Sequence, residues 1–270
     1  MPHRIFAAVL GLCLAAPAAA APEAEPWDRW RPHDPTSEAT VDHGAWTAFL
    51  KRYVARDETL DLDRVRYAAV TDADRAALEA YIRRLENTAI ADYDRDEQFA
   101  FWLNLYNAVT VRLVLDAYPV DSIRDIHGGL FDRGPWDREV TAVADTELTL
   151  NDIEHRILRP IWNDPLIHYG VNCASVGCPN LRTRAYTGAE VHTQLRENAR
   201  AYVNSPRGVR IDDGRVVVSK IYDWYQEDFG GSEAGVISHL RRYAAPALSA
   251  RLDAAGGIDG YAYDWSLNDR

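Results

Sequence analysis

Apolar side chains return every three or four residues along much of the chain, which is the spacing of one face of an α-helix. Leu78, Tyr81, Ile82 and Leu85 form such a stripe behind Thr71, a residue type that caps helix N-termini. Similar signals occur before and after this segment. We therefore predict helices over residues 43–55, 71–86, 187–204, 222–228, 233–244 and 246–254.

The predicted helix over residues 94–117 differs from these because it is apolar around most of its circumference, and Pro119 ends it. A helix that is apolar all round is a buried one, so we expect it to form the core. Asn104 and Asn107 interrupt the apolar belt on one face. Buried amides need partners, so these two either orient a base or bind a carbonyl group, or they hold the helix to a loop.

Strand signals are short. Residues 139–149 and 209–218 predict hairpins, the second around Asp212-Asp213-Gly214, and the apolar run 166–171 predicts a buried strand that delivers Cys173 to its end. Shorter strands are predicted within 60–70 and 258–267, and a glycine-rich loop at 127–129. The expected fold class is α+β: a mostly helical single domain over residues 43–270 with a small, mainly antiparallel sheet.

The first twenty residues have the pattern of a cleavable signal peptide. A basic start with Arg4, an apolar core and the small residues Ala18 to Ala20 predict cleavage near Ala21. Residues 21–42, rich in proline and acids, predict an irregular N-terminal segment. We expect an exported protein, periplasmic or secreted, and no later segment is apolar and long enough to predict a membrane span.

The net charge of −11 excludes one class of partner and leaves others open. The acids are scattered and there is no basic stripe, so phosphate backbones are repelled and nucleic acid is not expected to bind. No nucleotide-binding or serine-hydrolase motif is present, and no cofactor is expected. A zinc site built from His155, His168 and Cys173 lacks a short ligand spacing, so no metal is expected either. The expected partner is an unidentified peptide, acyl compound or small molecule.

Cys173 and Cys178 are the two cysteines beyond the signal segment. Cys173 sits beside a turn of small residues whose N–H groups can stabilise a thiolate or an oxyanion. Three interpretations stay open: a nucleophilic thiol at Cys173, a Cys173–Cys178 disulfide in an oxidising compartment, or a buried inert thiol.

A thiol nucleophile needs a base, and two histidines are candidates. His155 lies on a short predicted helix, 152–158, partly off its apolar stripe, next to Glu154. Asp152, three residues earlier, is better placed to orient it. His168 lies an odd number of residues before Cys173, so on a regular strand the two side chains would point to opposite faces.

Four segments, in this order, resemble the family called domain of unknown function 547. They are Phe101 to Ala108 (FWLNLYNA), Asp152 to Arg159 (DIEHRILR), Ile167 to Pro179 (IHYGVNCASVGCP) and Tyr263 to Asn268 (YDWSLN). The likeness extends from about residue 43 to 268.

The resemblance carries no established activity. It implies that Cys173, Ser175, the Glu154–His155 pair and the asparagine helix recur together, whereas the second cysteine is a serine in some relatives, which argues against a shared disulfide. Gly177 stands where many relatives have serine.

These observations lead to a thiol-dependent hydrolase or acyl transferase as the first hypothesis, with a cysteine-peptidase- or transglutaminase-like fold. Cys173 would be the nucleophile, His155 its base, and Asn104 or Glu154 the orienting partner. Substrate contacts are assigned to Tyr106, Asn107, His168 and Ser175, with Ser175 and the turn amides serving the oxyanion. The alternatives are a non-catalytic periplasmic binding domain stapled by a Cys173–Cys178 disulfide and, third, a thiol-redox role.

Overall fold

The computed structural model describes residues 22–59, 61–127 and 134–270. The expected signal peptide, residues 1–20, lies outside the described residues, as do the two glycines of the predicted loop at 127–129. Among the described helices, none combines the length and the apolar character that a membrane crossing requires.

The structure is α+β and mostly helical, as predicted. Its α-helices are α1 Gly44–Tyr53, α2 Asp72–Glu86, α3 Arg95–Ala117, α4 Arg159–Trp162, α5 Val191–Val203, α6 Ile221–Trp224, α7 Glu233–Tyr243 and α8 Pro246–Ala254. Thr71 caps α2 as expected, since its hydroxyl accepts a hydrogen bond from the N–H of Asp74.

The long helix α3 forms the centre of the core, which confirms the prediction from its apolar circumference. Every side chain from Glu97 to Val111 is buried. Its first turn is closed by Asp94, whose carboxylate accepts a hydrogen bond from the N–H of Glu97. The buried apolar side chains of the described residues form one cluster that extends from Trp30 to Leu267.

The strands form three small sheets rather than one. They are β1 Val54–Asp57, β2 Leu62–Val65, β3 Thr141–Val143, β4 Thr146–Leu148, β5 Val209–Asp212, β6 Arg215–Ser219 and β7 Gly260–Ala262. β1 pairs with β2, β3 with β4 and β5 with β6, all antiparallel, and β7 adds to β6 in parallel. Both predicted hairpins are present, and the second turns at Asp213 and Gly214, which both have positive φ.

The predicted strand over 166–171 is wrong. Pro165–Tyr169 is a short 3₁₀ helix instead. Asp164 caps it by accepting a hydrogen bond from the N–H of Leu166, and Pro165 supplies a φ suited to the first helical position. A short apolar run that is buried on all sides gives the same sequence signal in either conformation.

The N-terminal segment, predicted to be irregular, is fixed to the rest of the protein. Asp28–Trp30 is a 3₁₀ turn, and the buried Trp30 packs edge-on against Trp102 of α3 at a ring distance of 5.0 Å. The N–H groups of Glu25 and Trp27 donate to the carbonyls of His155 and Arg156. The segment therefore lies along the element that carries His155.

Candidate active site

A cavity of about 390 Å³ brings together most of the residues that the sequence singled out. Its reactive lining residues fall into two groups, which we call its two walls: the two cysteines form one, and Glu154, His155 and His168 form the other. Aromatic side chains complete the lining. The aromatic and cationic lining residues are Tyr106, Arg124, Trp136, Lys220, Trp224, Tyr225, Tyr263 and Trp265.

Asn107 of α3 positions the loop that precedes Cys173. Its amide nitrogen donates to the carbonyl of Gly170, and its amide oxygen accepts from the N–H of Asn172, both at 2.8 Å. Asn172 in turn fixes the next turn, because its side-chain oxygen accepts from the N–H of Ala174, a residue with φ of 57°. The position of the Cys173 sulfur is thus set by two successive side-chain clamps.

Cys173 and Cys178 are free thiols, not a disulfide. The N–H of Cys173 donates to the sulfur of Cys178 at 3.0 Å. The hydroxyl oxygen of Tyr263 lies 3.1 Å from the Cys173 sulfur and 3.2 Å from the Cys178 sulfur, and the Ser175 hydroxyl lies 3.2 Å from the Cys173 sulfur. Two sulfurs therefore share two hydroxyl groups and one backbone donor.

This arrangement stabilises a single thiolate in the pair. Burial by itself raises the pKa of Cys178, but hydrogen bonds from Cys173, Tyr263 and the Cys173 N–H outweigh it and lower the pKa to about 7. The hydrogen bond to Cys178, together with burial, raises the pKa of Cys173 well above its ordinary value. The two sulfurs titrate as a unit, and one proton leaves far more easily than the second.

The opposite wall begins with a π-helical segment, Asp152–Leu158, which continues directly into α4. Both Glu154 and His155 are buried there and line the cavity, although they are adjacent in sequence. π-Helical turns are rare and occur often at functional sites, and this one brings two neighbouring side chains to one cavity.

The imidazole of His155 accepts a hydrogen bond at one of its two nitrogens. Its Nδ1 lies 3.2 Å from a guanidinium nitrogen of Arg159, and because a guanidinium only donates, Nδ1 accepts and Nε2 carries the proton. Burial lowers the pKa of His155, Arg159 lowers it further, and Glu154 opposes them. His155 is 3 % exposed and has no other side-chain hydrogen bond to a described residue.

His168 lies between two carboxylates. Its Nε2 is 2.7 Å from Asp228, its Nδ1 is 3.7 Å from Glu154, and its ring stacks on Tyr225 at 4.0 Å. Asp228 also receives two hydrogen bonds from Arg159, and the His168 and Arg159 contacts hold the pKa of Asp228 below its ordinary value against the effect of burial. Because residues 165–169 are helical, His168 and Cys173 are not on opposite faces of a strand as expected, and both line the cavity.

Tyr106 lies between the two walls. Burial, and after it the negative charges of Glu154 and Cys173, raise the pKa of Tyr106 well above its ordinary value, so its hydroxyl stays protonated. Asn104 is not part of the cavity lining: its amide pairs with the backbone N–H and carbonyl of Tyr186. Among the described residues, the side chain of Cys173 interacts with Ser175, Tyr263 and Cys178, and none of these partners is an imidazole.

Three residues that contact the thiols or the cavity histidines were not predicted as site residues from the sequence. They are Tyr263, Arg159 and Asp228. Tyr263 and Arg159 lie within two of the segments that carry the family resemblance, Tyr263 to Asn268 and Asp152 to Arg159. Their position in those segments could have identified them as candidate site residues. Asp228 has no such signal, because it reaches His168 across sixty residues of sequence.

No group of three or more His, Cys, Asp or Glu side chains in the described ranges is arranged to hold a metal ion. Residues 90–203 match the model of the family described as "Protein of unknown function, DUF547". This segment contains Asn107, the π-helical segment and both cysteines, but Asp228 and Tyr263 lie beyond it. No curated protein and no solved structure matches the chain.

Proposed function

Since residues 90–203 belong to a family of unknown function, we propose from the cavity alone that the protein is a thiol-dependent hydrolase or acyl transferase. Cys173 is the nucleophile, and Cys178 rather than His155 takes its proton. The observation that carries this is the Tyr263 hydroxyl within 3.2 Å of both sulfurs, together with the Cys173 N–H on the Cys178 sulfur. Cys173 is partly exposed, whereas Cys178 is buried.

The reaction begins when the Cys173 sulfur attacks the acyl carbon while its proton moves to the Cys178 thiolate. A carbon–sulfur bond forms, the bond to the leaving group breaks, and the proton passes from Cys178 to that leaving group. Water, or a second acceptor, then attacks the acyl carbon and gives its proton to the Cys178 thiolate. The carbon–sulfur bond breaks, and the proton passes from Cys178 to the departing Cys173 sulfur, which restores the starting pair. The Nε2–H of His155 donates a hydrogen bond to the oxygen that becomes negative, so His155 serves the oxyanion and Ser175 serves the sulfur.

Alkylation by iodoacetamide between pH 5 and 10, with each cysteine followed by peptide mass spectrometry, tests the thiol pair. The two thiols titrate as a pair, and the proton that leaves near pH 7 makes Cys178 the thiolate that accepts the Cys173 proton during the reaction. We therefore expect rapid alkylation of Cys173 to follow the ionisation of Cys178, with a midpoint near pH 7, below the ordinary value of about 8.5 for a lone thiol. Cys178→Ser should raise the midpoint, and Tyr263→Phe should raise it as well because a hydroxyl donor is lost. Tyr261→Phe, two residues away on β7, is the matched control and should leave it unchanged.

One further variant and one trapping experiment separate this mechanism from a conventional thiol–imidazole pair. His155→Gln cannot act as a base but keeps an amide donor, so the alkylation midpoint of Cys173 should stay where it is. If His155→Gln abolishes the rapid phase, His155 is the base and the role given to Cys178 is wrong. Protein quenched during turnover of p-nitrophenyl acetate should carry an acetyl group on Cys173. An acetyl group on Cys178 alone would overturn the choice of nucleophile.

The pair of free thiols also favours a second candidate, a thiol-redox role, because two close sulfurs can be oxidised to a disulfide. A count of free thiols in the untreated native protein distinguishes the candidates. Two reactive thiols and an acetylated Cys173 support acyl transfer. If free thiols are detected only after a reductant is added, the result would support redox chemistry or the disulfide-stapled binding domain. The expectation of a cysteine-peptidase-like fold would then lose its basis.

We propose that this chemistry takes place outside the cytoplasm, because residues 1–20 have the charge and apolar pattern of a signal peptide. The intact mass of protein collected from the periplasm or medium should correspond to a start near Ala21. A secreted chain that keeps Met1 would contradict it.

A further inference from the structure

The cavity is lined by two cationic side chains that have no ion-pair partner among the residues the structure describes. Lys220 and Arg124 both line it, and both are half-buried. Within the described part of the chain, neither side chain has a hydrogen-bond or ion-pair partner. The guanidinium of Arg124 lies over the ring of Trp265 at 5.2 Å. In a chain with a net charge of −11, two unpaired cations in one cavity are unexpected.

The acidic side chains of the same cavity, by contrast, have partners of their own. Asp137 accepts a hydrogen bond from Asn151 at 2.6 Å. Glu154 lies 3.7 Å from Nδ1 of His168. Because these carboxylates contact Asn151 and His168 and not the two cations, the positive charges of Lys220 and Arg124 can act on a ligand.

Aromatic side chains connect the thiols to Arg124. The rings of Trp224 and Trp265 lie 4.9 Å and 4.7 Å from the ring of Tyr263, the residue that contacts both sulfurs. Trp136 packs edge-on against Trp265 at 5.8 Å, and none of the three tryptophans is fully buried. A half-exposed aromatic wall that leads from a nucleophile to a cation fits a ligand with an apolar body and an anionic end.

We propose that the cavity recognises acyl compounds that carry an anionic oxygen group, with the apolar body on the tryptophan wall and the anion at Lys220 and Arg124. This rests on the proposed function, because it names the substrate class of the same site. Recognition itself needs no chemistry at Cys173. The favoured anion is a carboxylate, which a guanidinium can bind with two parallel hydrogen bonds.

Binding of three ligands with the same phenyl group tests the charge requirement: phenylacetate, the neutral phenylacetamide and the cationic phenethylamine. Calorimetry on the full chain, or quenching of tryptophan fluorescence, gives the affinities. Phenylacetate should bind roughly tenfold or more tightly than phenylacetamide, which corresponds to one hydrogen bond to a charged group. Phenethylamine should bind least. Phenyl phosphate distinguishes the two anion types, and tighter binding of phenyl phosphate than of phenylacetate would overturn the choice of a carboxylate.

Substitution of each cationic residue then tests whether the anion binds at Lys220 and Arg124. Lys220→Gln and Arg124→Gln should each weaken phenylacetate binding roughly tenfold and leave phenylacetamide unchanged. The matched controls make the same charge changes at exposed positions, Lys51→Gln for the lysine and Arg200→Gln for the arginine. Equal affinities in the variants and their controls, or equal affinities for phenylacetate and phenylacetamide, would overturn the proposal.

Cys173→Ser separates this inference from the proposed function. The variant should bind phenylacetate as the parent does, because the proposed contacts of the anion are with Lys220 and Arg124 and not with Cys173. Selective anion binding without alkylation or acetylation at Cys173 in the parent would sustain the anion site and reject the enzyme. Acetylation of Cys173 without preference for the anion would reject the anion site alone.

Discussion

Two asparagines three residues apart on α3 use their amides in the same way on different loops. Asn104 donates to the carbonyl of Tyr186 at 2.8 Å and accepts from its N–H at 3.0 Å. Asn107 makes the equivalent pair of contacts with Gly170 and Asn172. Both side chains are almost fully buried. Each amide therefore supplies the hydrogen-bond partners that the buried backbone groups of its loop cannot obtain from water.

Replacing either asparagine by leucine should destabilise the protein by roughly 1–3 kcal/mol, because a buried N–H and a buried carbonyl lose their partner. The two variants should differ in the rate at which Cys173 is alkylated. Asn107→Leu frees the loop before Cys173 and should slow its alkylation, whereas Asn104→Leu, at a clamp outside the cavity, should leave the alkylation rate at the parental value.

Urea unfolding gives the stabilities of the two variants, and alkylation at pH 7 gives the rates. Asn104→Leu is the matched control, since it removes the same side chain from the same buried helix. If both variants unfold like the parent, the amides contribute nothing to the fold. If both slow alkylation equally, the effect is a general loosening and Asn107 has no special role in positioning Cys173.

The sequence contained enough to place the two asparagines side by side in the core, but not to say what they bind. Their spacing and the apolar belt around them are local properties of one helix. Their partners lie 63 to 82 residues away, on loops whose path depends on the whole fold. The same limit applies to Tyr263, which reaches Ser175 across 88 residues.

At the scale of elements, the best-predicted parts were those whose signal is local and strong. The helix α3, the cap at Thr71 and the hairpin around Asp213 and Gly214 each follow from a few adjacent residues. The stretch 166–171 failed because burial on all sides removes the periodicity that separates a strand from a helical turn. Asp164 and Pro165 were the available sign of a helix start there.

The π-helical segment Asp152–Leu158 was predicted as a helix but not as this kind of helix. With α-helical spacing, Glu154 and His155 would point about 100° apart, and only one would face a narrow site. In the π-helical segment both line the cavity, and Arg159 reaches Nδ1 of His155. The sequence gives no sign of the π-helical turn. The proposed donor role of His155 rests on its contact with Arg159, which the structure shows.

At the scale of the whole molecule, burial of histidines couples the fold to pH. Burial lowers the pKa of His43 and of His239 to about 4. His43 bonds the Tyr81 hydroxyl through Nδ1 at 2.7 Å, and His239 bonds the Tyr169 hydroxyl through Nε2 at 2.9 Å. Both imidazoles are therefore neutral in the folded protein at pH 5, where they would be largely protonated in the unfolded chain.

Because the folded-state pKa of each histidine lies below the unfolded value of about 6.5, the unfolded state binds more protons between pH 6.5 and 4. Their stabilisation is complete above pH 6.5 and is lost as the pH falls through that window, by up to about 1 kcal/mol per pH unit for each. Carboxylates with lowered pKa, such as Asp228, act in the same direction at lower pH.

Urea unfolding at pH 7.5, 5.5 and 4.5 should show this decline in stability, and His239→Gln should show a shallower decline than the parent. His33→Gln, which removes an exposed histidine, is the control and should follow the parent. Stability that stays level or rises between pH 7.5 and 4.5 would mean that His43 and His239 are hydrated in solution and that the core around them is open.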